Sequence, residues 1–289
     1  MEKFRLRHIG AMILVLKSLL IIFLLATILP QIAEKGVSFD SSFYWFILAG
    51  VVAQTVDASL GMGYGVSCST LLLSLGIPPR VTTASVHTSA VFTAGVSGLA
   101  HLRFNNIDKK LFLRLVFTGV LGAVLGAYTI SEILDGHAIK PYISGYLLIL
   151  GCVIIYKGLI KKPKEHKEVK HAELLALVGG FLDAIGGGGW GPIVTSNIIN
   201  QGKNPRHAIG TVNTAEFFVA FFGTGIFLFF VGIDSWQVIL GLMLGGVLAA
   251  PIGAFITSKT DKLNKNSMMT IVGSFIVLIS AYTIYKSIH

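Results

Sequence analysis

Charged residues are scarce in this chain of 289 residues. Asp, Glu, Lys and Arg make up 13% of it and hydrophobic residues 53%, whereas about 25% of the residues of a soluble domain are charged. Cysteine is rarer still: Cys68 and Cys152 lie in apolar stretches, without the spacing of a metal site or a redox pair. The composition excludes a soluble globular domain and indicates no metal or other cofactor.

Apolar runs long enough to cross a bilayer, which takes about 20 residues, are abundant instead, and they predict an all-α polytopic membrane protein. The run Ile9–Pro30 is too long for a signal peptide and no cleavage site follows it, so it is predicted to be a retained first helix. The predicted long helices are Ile9–Pro30, Pro79–Leu102, Leu111–Ile133, Pro141–Tyr156, Pro205–Val231, Trp236–Ser258 and Ser267–Lys286.

The formal charge of +9 lies in the short connections between the apolar runs. It does not form one patch with interleaved aromatic residues, so nucleic acid is not a predicted partner. Basic connections of membrane proteins face the cytoplasm. This rule predicts a chain in the plasma (inner) membrane with a cytoplasmic N-terminus. The basic loops predicted to be inside are 103–110, 157–171 and 259–265, and the others, 31–40, 134–138 and 232–235, are predicted to be outside.

The chain also contains an internal repeat. Val52–Ala94 aligns with Val178–Ala220 at a constant spacing of 126 residues and without a gap. Glycine-interrupted segments in corresponding halves of so apolar a chain are typical of the central binding site of a transporter. The identical pairs include Asp57/Asp183, Gly61/Gly187, Gly63/Gly189, Gly65/Gly191, Gly76/Gly202, Pro79/Pro205 and Arg80/Arg206.

Each copy includes a glycine-broken segment, 43–76 in the first and 172–202 in the second. The halves of the second, Glu173–Ile185 and Trp190–Gln201, have 13 and 12 residues, against the roughly 17–25 of a full crossing. Both segments are therefore predicted to be re-entrant hairpins, and the loop charges require them to enter from opposite sides. The prediction is two inverted repeats, each a hairpin plus three transmembrane helices. The units are an extra N-terminal helix and outer loop (1–40), repeat 1 (41–159), a basic linker (160–171) and repeat 2 (172–289).

The glycine clusters are the predicted substrate site. Their backbone can approach a ligand closely, and the helices that start after them direct positive dipole ends at that space, which favours an anion. Close helix packing through small residues is the alternative explanation. The residues assigned to substrate binding here are Gly61, Gly63, Tyr64, Gly65, Gly187, Gly188, Gly189 and Trp190.

Glu216 is the clearest single candidate for chemistry, because a carboxyl group inside an apolar helix is costly and functional by default. It is predicted to carry a proton. Asp57 and Asp183 precede Gly61 and Gly187 by four residues. They are further candidates for carrying a proton, and capping of the hairpin turns is the alternative.

His87 and Asn213 occupy the same position in the two repeats, one turn before Ala90 and Glu216, and are predicted to bind substrate. A packing role is the alternative for His87. Arg80 and Arg206 each follow a proline at a helix start. They are predicted to attract anions, unless they only anchor the helices at the interface.

The glycine cluster with Leu-Gly-Ile-Pro at 75–78, and Gly-Gly-Gly-Gly-Trp-Gly-Pro at 186–192 followed by Asn-Pro-Arg and Ile-Gly-Thr-Val-Asn, resemble the repeat motifs of the sulfite exporter TauE/SafE family. The resemblance covers about residues 43–285. It implies a carrier of small sulfur-containing or organic anions (sulfite-like, thiosulfate-like or sulfonate), commonly with proton coupling. The first copy departs from the family pattern at Tyr64 and Val66.

The predicted function is thus secondary, proton-coupled transport of a small anion bound between the two hairpin tips, with the lipid bilayer and protons as the other partners. An enzyme is not predicted. Two alternatives stay open at this point: an intramembrane lipid-phosphate phosphatase, which would need a paired carboxylate beside Glu216, and an anion channel.

Overall fold

The computed structural model describes residues 6–35, 39, 41–134, 138–159, 169–232, 235–258 and 265–288. These residues form helices and no strand, so the predicted all-α class is confirmed. Most of the predicted linker, 160–168, lies outside them. The helices are α1 (Leu6–Lys35), α2 (Phe43–Leu60), α3 (Tyr64–Ser74), α4 (Pro79–Arg103), α5 (Lys109–Tyr128), α6 (Lys140–Leu159), α7 (Ala172–Gly186), α8 (Ser196–Asn200), α9 (Pro205–Phe230), α10 (Trp236–Ser258) and α11 (Lys265–Ile288). Two short π-helical turns, Thr129–Ile133 and Trp190–Thr195, follow α5 and precede α8.

Six of the described helices are long and apolar enough to cross a membrane: α1, α5 with its π-helical turn, α6, α9, α10 and α11. Their outer faces keep large apolar side chains exposed, such as Phe117 at 76% and Phe229 at 82%. An apolar surface of this extent is explained by contact with lipid. The chain is therefore a multi-pass membrane protein.

Helix α4 has 25 residues and is long enough to span, but it is rich in Ser, Thr and His and is not among the six. Nearly all of its residues between Thr82 and Ala94 are buried. Because α4 is surrounded by other helices, its polar side chains meet protein and not lipid. The predicted helix is present, and its polarity marks it as the centre of the molecule.

The helix starts follow the local sequence. Pro79 and Pro205 occupy the first positions of α4 and α9, where the missing N–H costs nothing. Asn204 accepts a hydrogen bond from the N–H of Arg206, and Asp108 accepts one from the N–H of Leu111 at the start of α5. These caps satisfy N–H groups that no helical carbonyl can reach.

The predicted extra helix α1 lies at the edge of the molecule. One face is buried against the rest, through Ile9, Ile13, Leu20 and Leu24. The other face is exposed, as expected of a helix that meets lipid on most of its circumference.

The two repeats exchange partners. Helix α2 packs against α10 of repeat 2, and its counterpart α7 packs against α5 of repeat 1. Both contacts bring backbones together at glycines: a Cβ at Gly50 of α2 would collide with α10, and a Cβ at Gly122 of α5 would collide with α7. The small residues of α2, α5, α7 and α10 thus act as close-packing positions.

Helices α4 and α9, which correspond to each other in the repeats, pack together and run antiparallel. Gly95 of α4 faces Phe217, Gly98 faces Thr214, and His87 faces Gly223, so positions rise along α4 as they fall along α9. Antiparallel counterparts are what inverted repeats require. Inversion across the membrane itself stays a prediction.

Candidate functional site

The two glycine breaks are in direct backbone contact. A Cβ at Gly65 would lie 2.5 Å from the carbonyl oxygen of Gly187, and one at Gly188 would lie 2.5 Å from the backbone nitrogen of Val66. A Cβ at Gly191 would likewise lie 2.5 Å from Cα of Met62. The structure therefore brings the two hairpin tips together, and close packing alone requires glycine at these three positions.

The two hairpin tips have the same backbone geometry at the end of their first limbs, the helices α2 and α7. Gly61 and Gly187 both adopt a left-handed conformation, with φ of 70° and 68°. Each donates its N–H to the carbonyl four residues earlier, that of Asp57 or Asp183. Because non-glycine residues rarely adopt this conformation, it explains why glycine recurs at this position of both hairpins.

Asp57 and Asp183 cap the starts of the second limbs of the hairpins. The second limb is α3 in hairpin 1 and the π-helical turn Trp190–Thr195 with α8 in hairpin 2. Asp183 Oδ1 accepts hydrogen bonds from the N–H groups of Gly189, at 2.6 Å, and Trp190, at 3.0 Å. Asp57 Oδ1 lies 3.5 Å from the N–H of Tyr64, which is the same arrangement in a looser form. Capping of the hairpin turn therefore accounts for one oxygen of each carboxyl group.

The other oxygen of Asp183 faces His87. Nε2 of the imidazole lies 3.3 Å from Oδ2, and both side chains are buried. Nδ1 lies 3.1 Å from the carbonyl oxygen of Thr83, which only accepts hydrogen bonds, so Nδ1 carries the hydrogen of the neutral ring. Nε2 forms no hydrogen bond of acceptable geometry, so its approach to the carboxyl group is an electrostatic contact. The pair joins α4 of repeat 1 to the tip of hairpin 2.

Glu216 lies in the centre of α9 and keeps partial exposure, while every other residue from Ala208 to Ala220 is buried. Its carboxyl group interacts electrostatically with those of Asp57 and Asp183 and forms no hydrogen bond with a described residue. Three carboxyl groups therefore converge near the tips, one from each hairpin and one from α9.

Sequence reasoning singled out Tyr64 but missed the polar cluster that it forms with Gln54, Ser89 and Thr93 next to these carboxyl groups. All four side chains are buried. The hydroxyl group of Tyr64 donates to Ser89 Oγ at 2.8 Å and interacts with Thr93 and with Glu216. Gln54 and Thr93 both approach Gly246 of α10. Nε2 of Gln54 has no hydrogen-bond partner, although buried polar groups nearly always have one.

The polar cluster has no counterpart in repeat 2, and this asymmetry is visible in the sequence. The residues that correspond to Gln54, Tyr64, Ser89 and Thr93 are Gly180, Trp190, Ala215 and Val219. Trp190 has one polar atom, Nε1, which donates to the carbonyl oxygen of Val212. Glu216 shows the reverse asymmetry, with Ala90 in repeat 1. One side of the centre is therefore polar, and the structure was needed to show that these positions meet.

Asn213 is buried beside this region. Its Nδ2 lies 3.3 Å from Ser97 Oγ on α4, whereas its Oδ1 has no partner. It does not reproduce the contact that its counterpart His87 makes with an aspartate, because no described hydrogen bond joins Asn213 to Asp57.

Arg80 and Arg206 bond to loops instead of the hairpin tips. Arg80 donates to the carbonyl oxygen of Leu134, and Arg206 donates to Asn106 and to the carbonyl oxygen of Phe104. These bonds anchor the starts of α4 and α9. Among the described residues no group of three or more His, Cys, Asp or Glu side chains is arranged to hold a metal ion.

The model of the family described as sulfite exporter TauE/SafE matches residues 46–285, which run from the first turn of α2 to the last turn of α11 and include both glycine breaks. The chain belongs to the sulfite exporter TauE/SafE family. The resemblance predicted from the glycine motifs is confirmed, and the chain is a membrane transporter of a family whose described substrate is a small anion.

Curated relatives agree with this assignment. The chain is 42% identical over 250 residues to the probable membrane transporter protein YtnM of Bacillus subtilis (strain 168), covering 83% of this chain and 81% of that protein. It is 22% identical to the probable membrane transporter protein YunE of the same strain over 86% of this chain and 99% of that protein. The sulfite exporter TauE/SafE family protein 3 of Arabidopsis thaliana is 27% identical over 36% of this chain and 22% of that protein. No solved structure matches the chain significantly.

Proposed function

We propose that this chain is a secondary transporter that couples the movement of a small sulfur-containing or organic anion to that of protons, and that the anion binds next to the hairpin tips. The substrate class rests on the family, one of whose described members is a sulfite exporter. The glycines and the polar cluster supply backbone and side-chain donors, which suit an oxyanion.

The observation that carries proton coupling is Glu216 with its neighbours. Asp57, Asp183 and Glu216 would together repel an anion if all were ionised. Among the described residues, the basic side chain in contact with one of them is His87, beside Asp183. An anion can bind beside Glu216 at low cost only when that group holds a proton. Proton and anion binding then favour each other, by the same factor in both directions.

The substrate reaches this region, in the proposal, by rocking of the two repeats about their shared centre, which is the usual consequence of inverted repeats. The antiparallel α4 and α9 and the tip contact are the interface between the moving parts. A rigid interface of this kind keeps the ion from crossing freely, which distinguishes a carrier from a channel.

The topology proposed is the one predicted from loop charge, with the N-terminus and the linker in the cytoplasm. Cysteines introduced at Asn204 and at Tyr142 lie at opposite ends of the molecule in this arrangement. A membrane-impermeant thiol reagent added to intact cells should label the Tyr142→Cys variant and spare Asn204→Cys. The reverse pattern would overturn the orientation, and equal labelling of both would overturn the inverted arrangement.

Flux into proteoliposomes tests the function directly. Radiolabelled sulfite, thiosulfate and sulfoacetate should each be offered with and without an imposed pH gradient, with protein-free liposomes as the control. Accumulation of at least one anion that rises with the gradient is expected. Uptake that ignores the gradient would refute proton coupling, and the absence of uptake of all three would refute the substrate class.

A further inference from the structure

We propose a second anion site, distinct from the hairpin-tip centre, in a pocket formed by Lys157, Ser196 and Asn200. It rests on the proposed function in that it would load the same small oxyanion that the carrier moves. The cavity volume is about 20 Å³, slightly more than the roughly 10–15 Å³ that one water molecule requires by the same measure. The pocket therefore has room only for a ligand of few atoms.

The pocket lies where five parts of the fold meet, two of which are α9, through Ile209, and α11, through Met269. Lys157 is in the last turn of α6, Ser196 and Asn200 are on α8 in the second limb of hairpin 2, and Leu60 and Met62 are at the tip of hairpin 1. Met62 also contacts Gly191 at the junction of the two tips. Met62 thus lies between an ion held in the pocket and the contact of the two hairpin tips.

Lys157 brings a positive charge to the pocket that no described carboxylate neutralises. Its Nζ donates to the carbonyl oxygen of Pro192, at 3.2 Å, and to Ser196 Oγ, at 2.5 Å, and both acceptors are neutral. The side chain is partly buried, so water compensates its charge only in part. The ammonium group has three N–H donors, and the third is available to a ligand.

The remaining lining matches this charge. Among the described residues that line the pocket, Ser196 and Asn200 are the other polar ones, the rest are apolar, and none is acidic. The hydroxyl group of Ser196 donates to the carbonyl oxygen of Pro192, so the donors left for a ligand are those of Lys157 and Asn200. A lysine binds a phosphate- or sulfate-like oxyanion as a point charge. The ligand class is therefore a small oxyanion, with sulfite and thiosulfate as the probes.

The symmetry of the two repeats does not produce a second copy of this site. The residue that corresponds to Lys157 is Lys286, which is exposed near the end of α11. Ser196 and Asn200 correspond to Thr70 and Ser74 of repeat 1. Because Lys157 is partly buried and its counterpart Lys286 is exposed, the pocket gives the carrier a loading position on one side, the side predicted to be cytoplasmic.

Binding of sulfite and of thiosulfate to the purified full-length protein, by isothermal titration calorimetry, tests the site. The Lys157→Gln variant should bind the preferred anion about tenfold more weakly, the effect of losing about 1.4 kcal/mol, while Lys157→Arg keeps most of the affinity. Lys286→Gln is the matched control and should bind like the wild type. Asn200→Ala, at an exposed position, should weaken binding severalfold and serves if Lys157→Gln does not fold.

Parallel flux measurements separate this proposal from the proposed function. Wild-type transport together with unchanged binding by Lys157→Gln, or by Asn200→Ala where the lysine variant does not fold, would overturn the pocket and leave the carrier intact. Lysine-dependent binding without transport would support the pocket and overturn the carrier. Failure of the wild type to bind either probe would overturn the pocket.

Discussion

Nε2 of His87 lies 3.3 Å from Oδ2 of Asp183, and this pair joins the two repeats at the centre of the molecule. His87 belongs to α4 of repeat 1, and Asp183 precedes the glycines of hairpin 2. Since Asp183 also caps the second limb of its hairpin through Oδ1, a change of charge at this contact acts directly on the hairpin tip.

A double-mutant cycle should detect this pair. His87→Gln and Asp183→Asn should each lower the free energy of unfolding by about 3 kcal/mol, because removing one partner leaves the other buried and uncompensated. The double variant should be more stable than the sum predicts by at least about 1 kcal/mol. Denaturation in mixed micelles measures all three. The cycle of His87→Gln with Asp57→Asn is the control, and equal coupling in the two cycles would contradict a specific pair.

The tip glycines should be intolerant of even one methyl group. Gly188→Ala places a carbon 2.5 Å from the backbone nitrogen of Val66, and overpacking of this kind costs about 1–3 kcal/mol. Gly145→Ala on α6, where a Cβ meets nothing within 4 Å, is the control and should be neutral or stabilising. Thermal unfolding in detergent compares them. Equal stability of the two variants would show that the tips are less tightly packed than the structure has them.

The sequence predicted those features that depend on interactions between residues close together in the chain. Helix positions follow from apolar length, the helix starts from Pro79 and Pro205, and the meeting of the tips from the repeated glycines. His87 and Asp183 were both singled out, but as a substrate ligand and a proton site, because a sequence does not show which side chains of two repeats are neighbours. Gln54, Ser89, Thr93 and Lys157 were missed for the same reason: polar residues in helices acquire meaning only from what packs beside them.

The polar cluster should be needed for transport and not for folding. Thr93→Val and Gln54→Leu keep the approximate shape of each side chain and remove donors, so we expect anion flux to fall by about tenfold with little loss of stability, since ~1.4 kcal/mol of binding is lost. Thr283→Val on α11 is the control, because its hydroxyl group bonds only to its own helix. Initial rates of uptake measure the effect. Unchanged flux in both cluster variants would place the substrate elsewhere.

Asp108 and Lys203 should make stability depend on acid. Partial burial of the Asp108 carboxyl group opposes ionisation, but the hydrogen bond from Lys203 and those from the N–H groups at the start of α5 outweigh it and hold its pKa below the ordinary value. A depressed carboxyl pKa contributes stability above about pH 4, the unfolded value, and loses it as the pH falls through the lower folded value.

The contribution of this ion pair is about 0.5–1 kcal/mol, because both side chains are partly exposed. The difference in unfolding free energy between the wild type and Asp108→Asn should therefore be present at pH 6 and shrink toward pH 3. Lys203→Gln should show the same trend. A difference that is independent of pH would contradict the depressed pKa of Asp108.

Glu216→Gln is the decisive variant for proton coupling. The amide keeps the size of the side chain and resembles the protonated acid, so it removes the repulsion between an ionised Glu216 and the anion but can neither release nor take a proton. We expect the variant to bind the anion at least as well as the wild type and to exchange labelled anion across the membrane. It should no longer accumulate anion in response to a pH gradient. Glu216→Asp, which keeps an ionisable carboxyl group, is the matched control and should retain the response. Undiminished pH-driven accumulation by Glu216→Gln would remove Glu216 from the mechanism, and Asp57, Asp183 and His87 would be the next residues to test.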